Sequence, residues 1–355
     1  MTKIQKDNKN VAKFPNLRFP EFTEEWNREK IASILTIGSG KDYKHLSKGT
    51  IPVFGTGGYM ASVDDFLYEG ESVCIGRKGT INKPLYFNGK FWTVDTLFYT
   101  HSFKNVLPKF VYNIFEQINW LKYNEASGVP SLSKSTIEQI DINIPCVEEQ
   151  QKIATFLSLI DERIQAQNKI IEQLETLIKG LCQKLILNQV PNKKINNCVS
   201  SYSSSLTESD VIDKNGIYPV YGATGIIAFT ENPQINEDAI LIIKDGSGVG
   251  KVQYASDKFS VIGTLNYLTV KPDVNLKYIF FCLKYFNFEK YKVGSGIPHI
   301  YFKDYGETFI YCPPLEEQNK IESLLSSIDS KINIETQYIK ELKEQKTFLF
   351  QQMFV

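Results

Sequence analysis

Between residues 147 and 187 apolar side chains recur in alternating steps of four and three. They fall at Ile153, Leu157, Ile160, Ile164, Ile171, Leu174, Ile178, Leu181 and Leu185. Such a seam is the mark of a helix that buries one narrow stripe against another helix. The same spacing returns near the C-terminus at Ile321, Leu325, Ile328, Ile332, Ile339, Leu342, Leu349 and Met353. Gln167 and Glu335 interrupt the two seams at matching places, and Lys346 interrupts the second. Pro145 and Pro313 stand just before glutamates that occupy a first helical turn, where the helix dipole favours negative charge. About forty residues rising ~1.5 Å each predict rods of roughly 60 Å. Two such seams in one chain are expected to bury each other, and the order of the segments favours an antiparallel pair.

Elsewhere the periods are shorter. SVCIGR (72–77), AILIIK (239–244) and LNYLTV (265–270) read as strands between glycine-rich turns. KFVYNIFEQINWLKY (109–123) and LKYIFFCLKYF (276–286) read as helices. Each globular part is therefore expected to be α+β with a small curved sheet.

These elements occur twice, at an offset of 168 residues. SGVP at 127–130 matches SGIP at 295–298, and PCVEEQQKI at 145–153 matches PPLEEQNKI at 313–321. PVFGTGG at 52–58 is echoed by PVYGATG at 219–225. The expected organisation is a globular part (1–147), a helix (148–190), a second globular part (191–312) and a second helix (313–355). Only the first copy has NLRFPEFTEEW (16–26), so the start of the second globular part is not fixed by the repeat.

Charge narrows the function classes less than expected. Lys and Arg number 40 against 40 Asp and Glu. Residues 1–147 carry 18 basic against 15 acidic side chains, and 191–312 carry 12 against 12. A nucleic-acid binder usually has a basic footprint, so any such contact must come from local clusters or be shared with a more basic partner. The opening MTKIQKDNKN is polar, so no secretory signal is expected, and no apolar run is long enough to span a membrane. Six scattered cysteines form no CxxC pair, which speaks against zinc and for a reduced, cytoplasmic protein.

No catalytic set stands out. KDGSGVGK (244–251) has Asp245 where a phosphate loop needs glycine and Val252 where it needs Ser or Thr, so a tight β-turn is expected, followed by VQYA as a strand. CPPLEEQ (312–318) and NPQI (232–235) both fall short of the Asn/Asp-Pro-Pro-aromatic motif by which a base methyltransferase holds its flipped base. The matching place to 244–251 in the first copy is IGRKGTINK (75–83), so a basic glycine turn occurs twice. From charge and loop position the candidates for DNA contact are Lys41, Tyr43, Lys44, Arg77, Lys78, Ser131 and Lys134 in the first part. In the second they are Lys244, Ser247, Lys251, Lys292, His299 and Lys303. Tyr123, Tyr291 and Tyr301 are further candidates to stack or to reach phosphate.

The doubled set of SGxP, P-x-x-EEQ-x-KI, the Ile-Asp pairs at 160–161 and 328–329, and NLRFPEF resembles the specificity subunit of type I restriction–modification systems. The resemblance covers nearly the whole chain. It implies two target recognition domains that each read half of a split, asymmetric site in double-stranded DNA. It implies an antiparallel helix pair that spaces them and docks two modification (methyltransferase) subunits. Those partners would supply S-adenosylmethionine chemistry, and restriction subunits would supply ATP hydrolysis and cleavage. This chain would be non-catalytic, without a cofactor or metal of its own. Two other classes stay open: the recognition part of a fused restriction–methylation enzyme or an unseen small hydrolase, and a protein-interaction scaffold that does not touch DNA.

Overall fold

The structure is a computed structural model that describes residues 14–211 and 216–355; the polar opening stretch lies outside the described residues. The chain divides into two compact units, one made of residues up to 166 with 339–355, the other of 167–338.

Unit 1 begins with β1 (Asn27–Lys30), α1 (Ile31–Ile34) and β2 (Thr36–Ser39). β3 (Lys48–Gly55), β4 (Gly58–Val63), β5 (Tyr68–Gly76), β6 (Leu85–Thr93) and β7 (Leu97–His101) follow, then α2 (Pro108–Gln117), α3 (Lys134–Glu138) and β8 (Asp141–Ile144). The last element, α4 (Val147–Cys182), runs on into unit 2. Six strands form one sheet in the order β2-β7-β5-β6-β3-β4, and β1 pairs with β8. β6 holds the sheet together because it pairs with β5 along most of its length and with β3 at Trp92 and Thr93. Gly70 and Gly89 face each other in that ladder with φ of +133° and +114°, a backbone that only glycine adopts without strain.

Unit 2 repeats the order: β9 (Lys193–Lys194), α5 (Ile195–Cys198), β10 (Val199–Ser203), β11 (Tyr218–Gly222), β12 (Gly225–Thr230) and β13 (Ala239–Ile243). β14 (Val252–Ala255), β15 (Ser260–Val261), β16 (Leu265–Val270), α6 (Leu276–Lys284), α7 (Phe302–Tyr305), β17 (Phe309–Ile310) and α8 (Leu315–Met353) complete it. Its sheet is not single. The counterpart of β6 is cut into β14 and β15 by a turn in which Asp257 takes φ +62°. A four-stranded sheet (β10-β16-β13-β14) and a three-stranded one (β12-β11-β15) result, so the expectation of one small sheet per part fails here.

The structure also finds the start of the second copy. β9, α5 and β10 repeat β1, α1 and β2, but at an offset of 164 rather than 168. In that frame the buried Trp26 corresponds to Val190, which is 82% exposed. The predicted helix over 109–123 is interrupted: α2 stops at Gln117, and Trp120–Tyr123 form a separate 3-10 turn, where Trp120 Nε1 donates to the Phe115 carbonyl.

The paired EEQ motifs have a packing explanation. Gln150 is fully buried; its Oε1 accepts from Leu107 N (2.9 Å), and its Nε2 donates to the carbonyls of Asn105 (3.0 Å) and Pro145 (2.9 Å). Gln318 makes the same bracket in unit 2, accepting from Asn275 N (2.9 Å) and donating to the carbonyls of Pro313 (2.7 Å) and Asp273 (3.3 Å). Asn105 and Asp273 have φ of +51° and +62°, so each glutamine satisfies a loop that has turned out of any ladder.

Glu149 is fully buried and takes both Nε and Nη2 of Arg18, at 2.8 and 2.7 Å. The equivalent Glu317 only accepts from the Tyr311 hydroxyl at the surface. Removing the arginine leaves a buried charge unpaired. Arg18→Ala should therefore lower the stability of unit 1 by about 3–5 kcal/mol, while the double change Arg18→Met/Glu149→Leu should recover most of it. Urea midpoints of the three proteins check this; an unshifted midpoint for Arg18→Ala would show the pair to be inessential.

The seams meet within each unit. In unit 1 Ile153, Ala154 and Leu157 share a core with Phe350 and Met353. Lys346, the polar break in the second seam, reaches Asp161 (2.7 Å) and Glu116 (3.1 Å). In unit 2 Ile178 and Cys182 share a core with Ile321 and Leu325, bordered by Ile328 and Ile332. Gln167 there donates to Glu335, which also pairs with Lys331. In both units higher numbers of α4 meet lower numbers of α8, so the helices run antiparallel. Gln167 and Glu335 are 168 residues apart, the repeat offset itself, so equivalent positions of the two copies touch.

Candidate nucleic-acid interface

The two motifs that recur at SGxP and at the basic glycine turn are distant in sequence and adjacent in the fold. In unit 1, Gly79 N donates to the Pro130 carbonyl (2.8 Å) and Leu132 N to the Arg77 carbonyl (2.9 Å), and Lys78 and Ser131 face each other as an antiparallel bridge. In unit 2, Gly246 N donates to Pro298 (3.0 Å) and Ile300 N to Lys244 (3.0 Å), and Asp245 faces His299. Gly79 and Gly246 have φ of +97° and +95°, which the turn needs. Behind the bracket Arg77 N is held by Thr96 and Lys244 N by Thr264. Leu132 and Ile300 are buried and anchor the loop from inside.

The structure thus brings Arg77, Lys78 and Ser131 together, and likewise Lys244 and His299. The Arg77 guanidinium lies 5.8 Å from the centre of the Phe98 ring, with its charge exposed. Lys134 opens α3 beside Glu138 (3.6 Å). Burial first, and the Lys134 charge second, shift His101 below its ordinary value.

Ser247, Lys251 and Lys292 line one groove with Lys284 and Asn287. Its basic character is partly neutralised, because Lys292 pairs with Glu289 (2.6 Å) and Lys284 with Asp329 (2.9 Å). Lys303 is exposed, with its ammonium 5.4 Å from the Tyr301 ring centre. Lys41 and Lys44 are exposed on the β2–β3 loop, which is fixed by the Trp92 indole donating to the Lys41 carbonyl (2.8 Å). Tyr43 is half-buried against the Val53–Trp92 cluster, Tyr291 stacks on Phe286 with ring centres 5.8 Å apart, and Tyr123 stays exposed.

Sequence reasoning missed two features. Asp245 entered it only as the residue that spoils a phosphate loop. Large apolar side chains also stand exposed at matching tips: Val129 and Ile297 in SGxP, and Tyr59, Met60, Ile226 and Phe229 on the β3–β4 and β11–β12 hairpins. The doubled GTGG/GATG turns were the available signal. Among the described residues no group of His, Cys, Asp or Glu is arranged to hold a metal ion, and no helix is long and apolar enough to cross a membrane.

The comparisons with known proteins agree on one family. The model of the type I restriction modification DNA specificity domain matches twice, at residues 23–176 and 194–344. A putative type I specificity subunit of Mycoplasma pneumoniae is 23% identical over 337 residues, covering 84% of this chain and 88% of its own. The type I restriction enzyme MjaVIII specificity subunit of Methanocaldococcus jannaschii is 24% identical over 322 residues, covering 77% and 73%. The crystal structure of a type I restriction–modification S subunit from M. genitalium superposes with a TM-score of 0.73 at 18% identity, over 96% of this chain and 99% of that one. That likeness speaks for the fold: two repeated α+β units and a pair of long helices. With two specificity domains over most of its length, the chain belongs to the type I restriction–modification DNA specificity family.

Proposed function

We propose that this chain is the DNA-reading subunit of a type I restriction–modification complex. Residues 1–147 and 191–312 each read one half of a bipartite, asymmetric site in duplex DNA. The helices over 148–190 and 313–355 dock two modification subunits, and restriction subunits join that assembly. The chain itself carries out no methyl transfer and no cleavage. The observation that carries the reading is the bracketed loop pair. One backbone frame recurs in both units and presents different side chains, Lys78 and Ser131 in one, Asp245 and His299 in the other. A shared frame with unlike side chains is what reading two unlike half-sites requires, because base edges differ only in donor, acceptor and methyl pattern.

The partners are expected to supply both catalysis and much of the basic surface. The purified chain should incorporate no methyl groups into DNA and should bind it weakly. Co-expressed with its modification subunits in a methylation-deficient host, it should direct modification to one split sequence, seen by genome-wide mapping of methylated bases. Methyl incorporation by the isolated chain would overturn the non-catalytic assignment. A folded complex without sequence preference would overturn the reading role.

A further inference from the structure

Resting on that proposed function, we infer that the bracketed pairs are specificity-determining positions: Lys78 with Ser131 reads a guanine, and Asp245 with His299 reads a cytosine. The geometry points to this in three steps. Residues 131 and 299 alternate with the buried Leu132 and Ile300, so their side chains leave the opposite face of the extended loop. Directly opposed residues of an antiparallel bridge project to the same side. The contact between His299 Nδ1 and Asp245 Oδ1, at 2.6 Å, shows this for unit 2. Lys78 and Ser131 share the same bridge in unit 1.

The side chains do not hold the bracket. The bonds that close it, Gly79 to Pro130 and Leu132 to Arg77 in one unit and Gly246 to Pro298 and Ile300 to Lys244 in the other, join backbone groups and are alike although the side-chain pairs differ; beside them Ser131 N donates to Asn124 Oδ1 and His299 N to the Val293 carbonyl. A partly exposed side-chain contact such as Asp245–His299 contributes little stability in any case. These positions are therefore free to carry chemistry instead.

Their chemistry is complementary to opposite base edges. The Lys78 ammonium is donor-only and suits the two acceptors, O6 and N7, of guanine. The Asp245 carboxylate is acceptor-only. Since it accepts, His299 Nδ1 must carry the proton, and the histidine fixes the carboxylate in place. Its second oxygen, Oδ2, then suits the exocyclic amino group of cytosine, the donor that a carboxylate reads in the major groove.

The test exchanges the pairs in the full chain together with its modification subunits. One variant carries Lys78→Asp and Ser131→His; the other carries Asp245→Lys and His299→Ser. Methylated-base mapping should show a changed base at one position of one half-site in the first variant, and of the other half-site in the second. Discrimination at that base should shift by roughly ten- to hundredfold, the worth of one good base-edge contact. The single changes Lys78→Met and Asp245→Asn, which disturb the fold less, should relax the same positions if an exchanged variant fails to assemble. Unaltered half-sites in an active, assembled variant would overturn the assignment and leave the recognition role standing. Unspecific modification by the unaltered complex would instead overturn the recognition role itself.

Discussion

Leu325→Asp and Leu157→Asp should each remove most of the protein's stability, Leu342→Asp somewhat less, and Leu174→Asp least. Leu157 and Leu325 are fully buried, Leu342 is 5% exposed and Leu174 is half-buried, although all four hold equivalent seam positions in sequence. Truncating a buried leucine costs about 2–5 kcal/mol through lost contacts and a residual cavity. A carboxylate left there without a partner adds several kcal/mol of desolvation. The sum approaches the ~5–15 kcal/mol that holds a typical domain together. Leu325 lies in the core that joins α8 to α6 and to the end of α4, so its loss should loosen unit 2 as a whole. Leu157 shares its core with α1, α2 and the end of α8, so the same change there acts on unit 1. Urea unfolding followed by circular dichroism ranks the four proteins, and size-exclusion chromatography with the modification subunits reads assembly. A wild-type midpoint for Leu325→Asp would mean that the seams do not bury each other in solution.

The seams were legible because a period of three and four over many turns has one physical solution, a helix with a buried stripe. Antiparallel pairing followed from segment order. Even the polar breaks were visible as positions, though not as contacts: nothing local says that Lys346 meets Asp161 or that Gln167 meets Glu335. The same limit hid the role of the EEQ glutamines, whose partners lie in a loop about forty residues upstream. Glu149 looked like a dipole-favoured residue of a first turn, and its burial against Arg18, 131 residues away, is a tertiary fact. The start of the second unit was obscured by four residues. A gapless offset of 168 aligns Ile195 with Asn27, whereas the fold aligns it with Ile31. The split sheet of unit 2 depends on one turn at Asp257, too small a signal beside the strand pattern. At the candidate interface, both halves of each bracket stood out as repeated motifs. Their meeting did not, since it requires the strands behind Arg77 and Lys244 to carry them to the SGxP loops.

Lengthening both helices by one heptad should change the spacer of the DNA site and leave its two half-sites intact. The chain passes between the units at 166/167 and 338/339, and both crossings lie inside uninterrupted helices. Duplicating residues 164–170 together with 332–338 keeps the seam in register, because seven residues are two turns of a supercoiled helix. It also adds a second Gln–Glu layer next to Gln167 and Glu335. Each helix grows by ~10 Å, at ~1.5 Å per residue. Measured against ~3.4 Å per base pair, that is up to about three more base pairs between half-sites. Rise and twist then compete. Three base pairs turn the second half-site by roughly 100° about the DNA axis, at 10–10.5 base pairs per turn, while a heptad adds almost no rotation about the seam. Bending or twisting the DNA absorbs part of the mismatch at modest cost. The expected spacer is therefore one to three base pairs longer, with weaker modification than the parent complex. Duplicating only one of the two heptads should do worse than either, since the unpaired turns leave apolar seam residues without a partner. Methylated-base mapping in cells that carry the modification subunits reads spacer and half-sites at once. An unchanged spacer in an active double-duplication variant would show that the helices do not set the distance. Altered half-sites would show that recognition is not confined to the two globular parts.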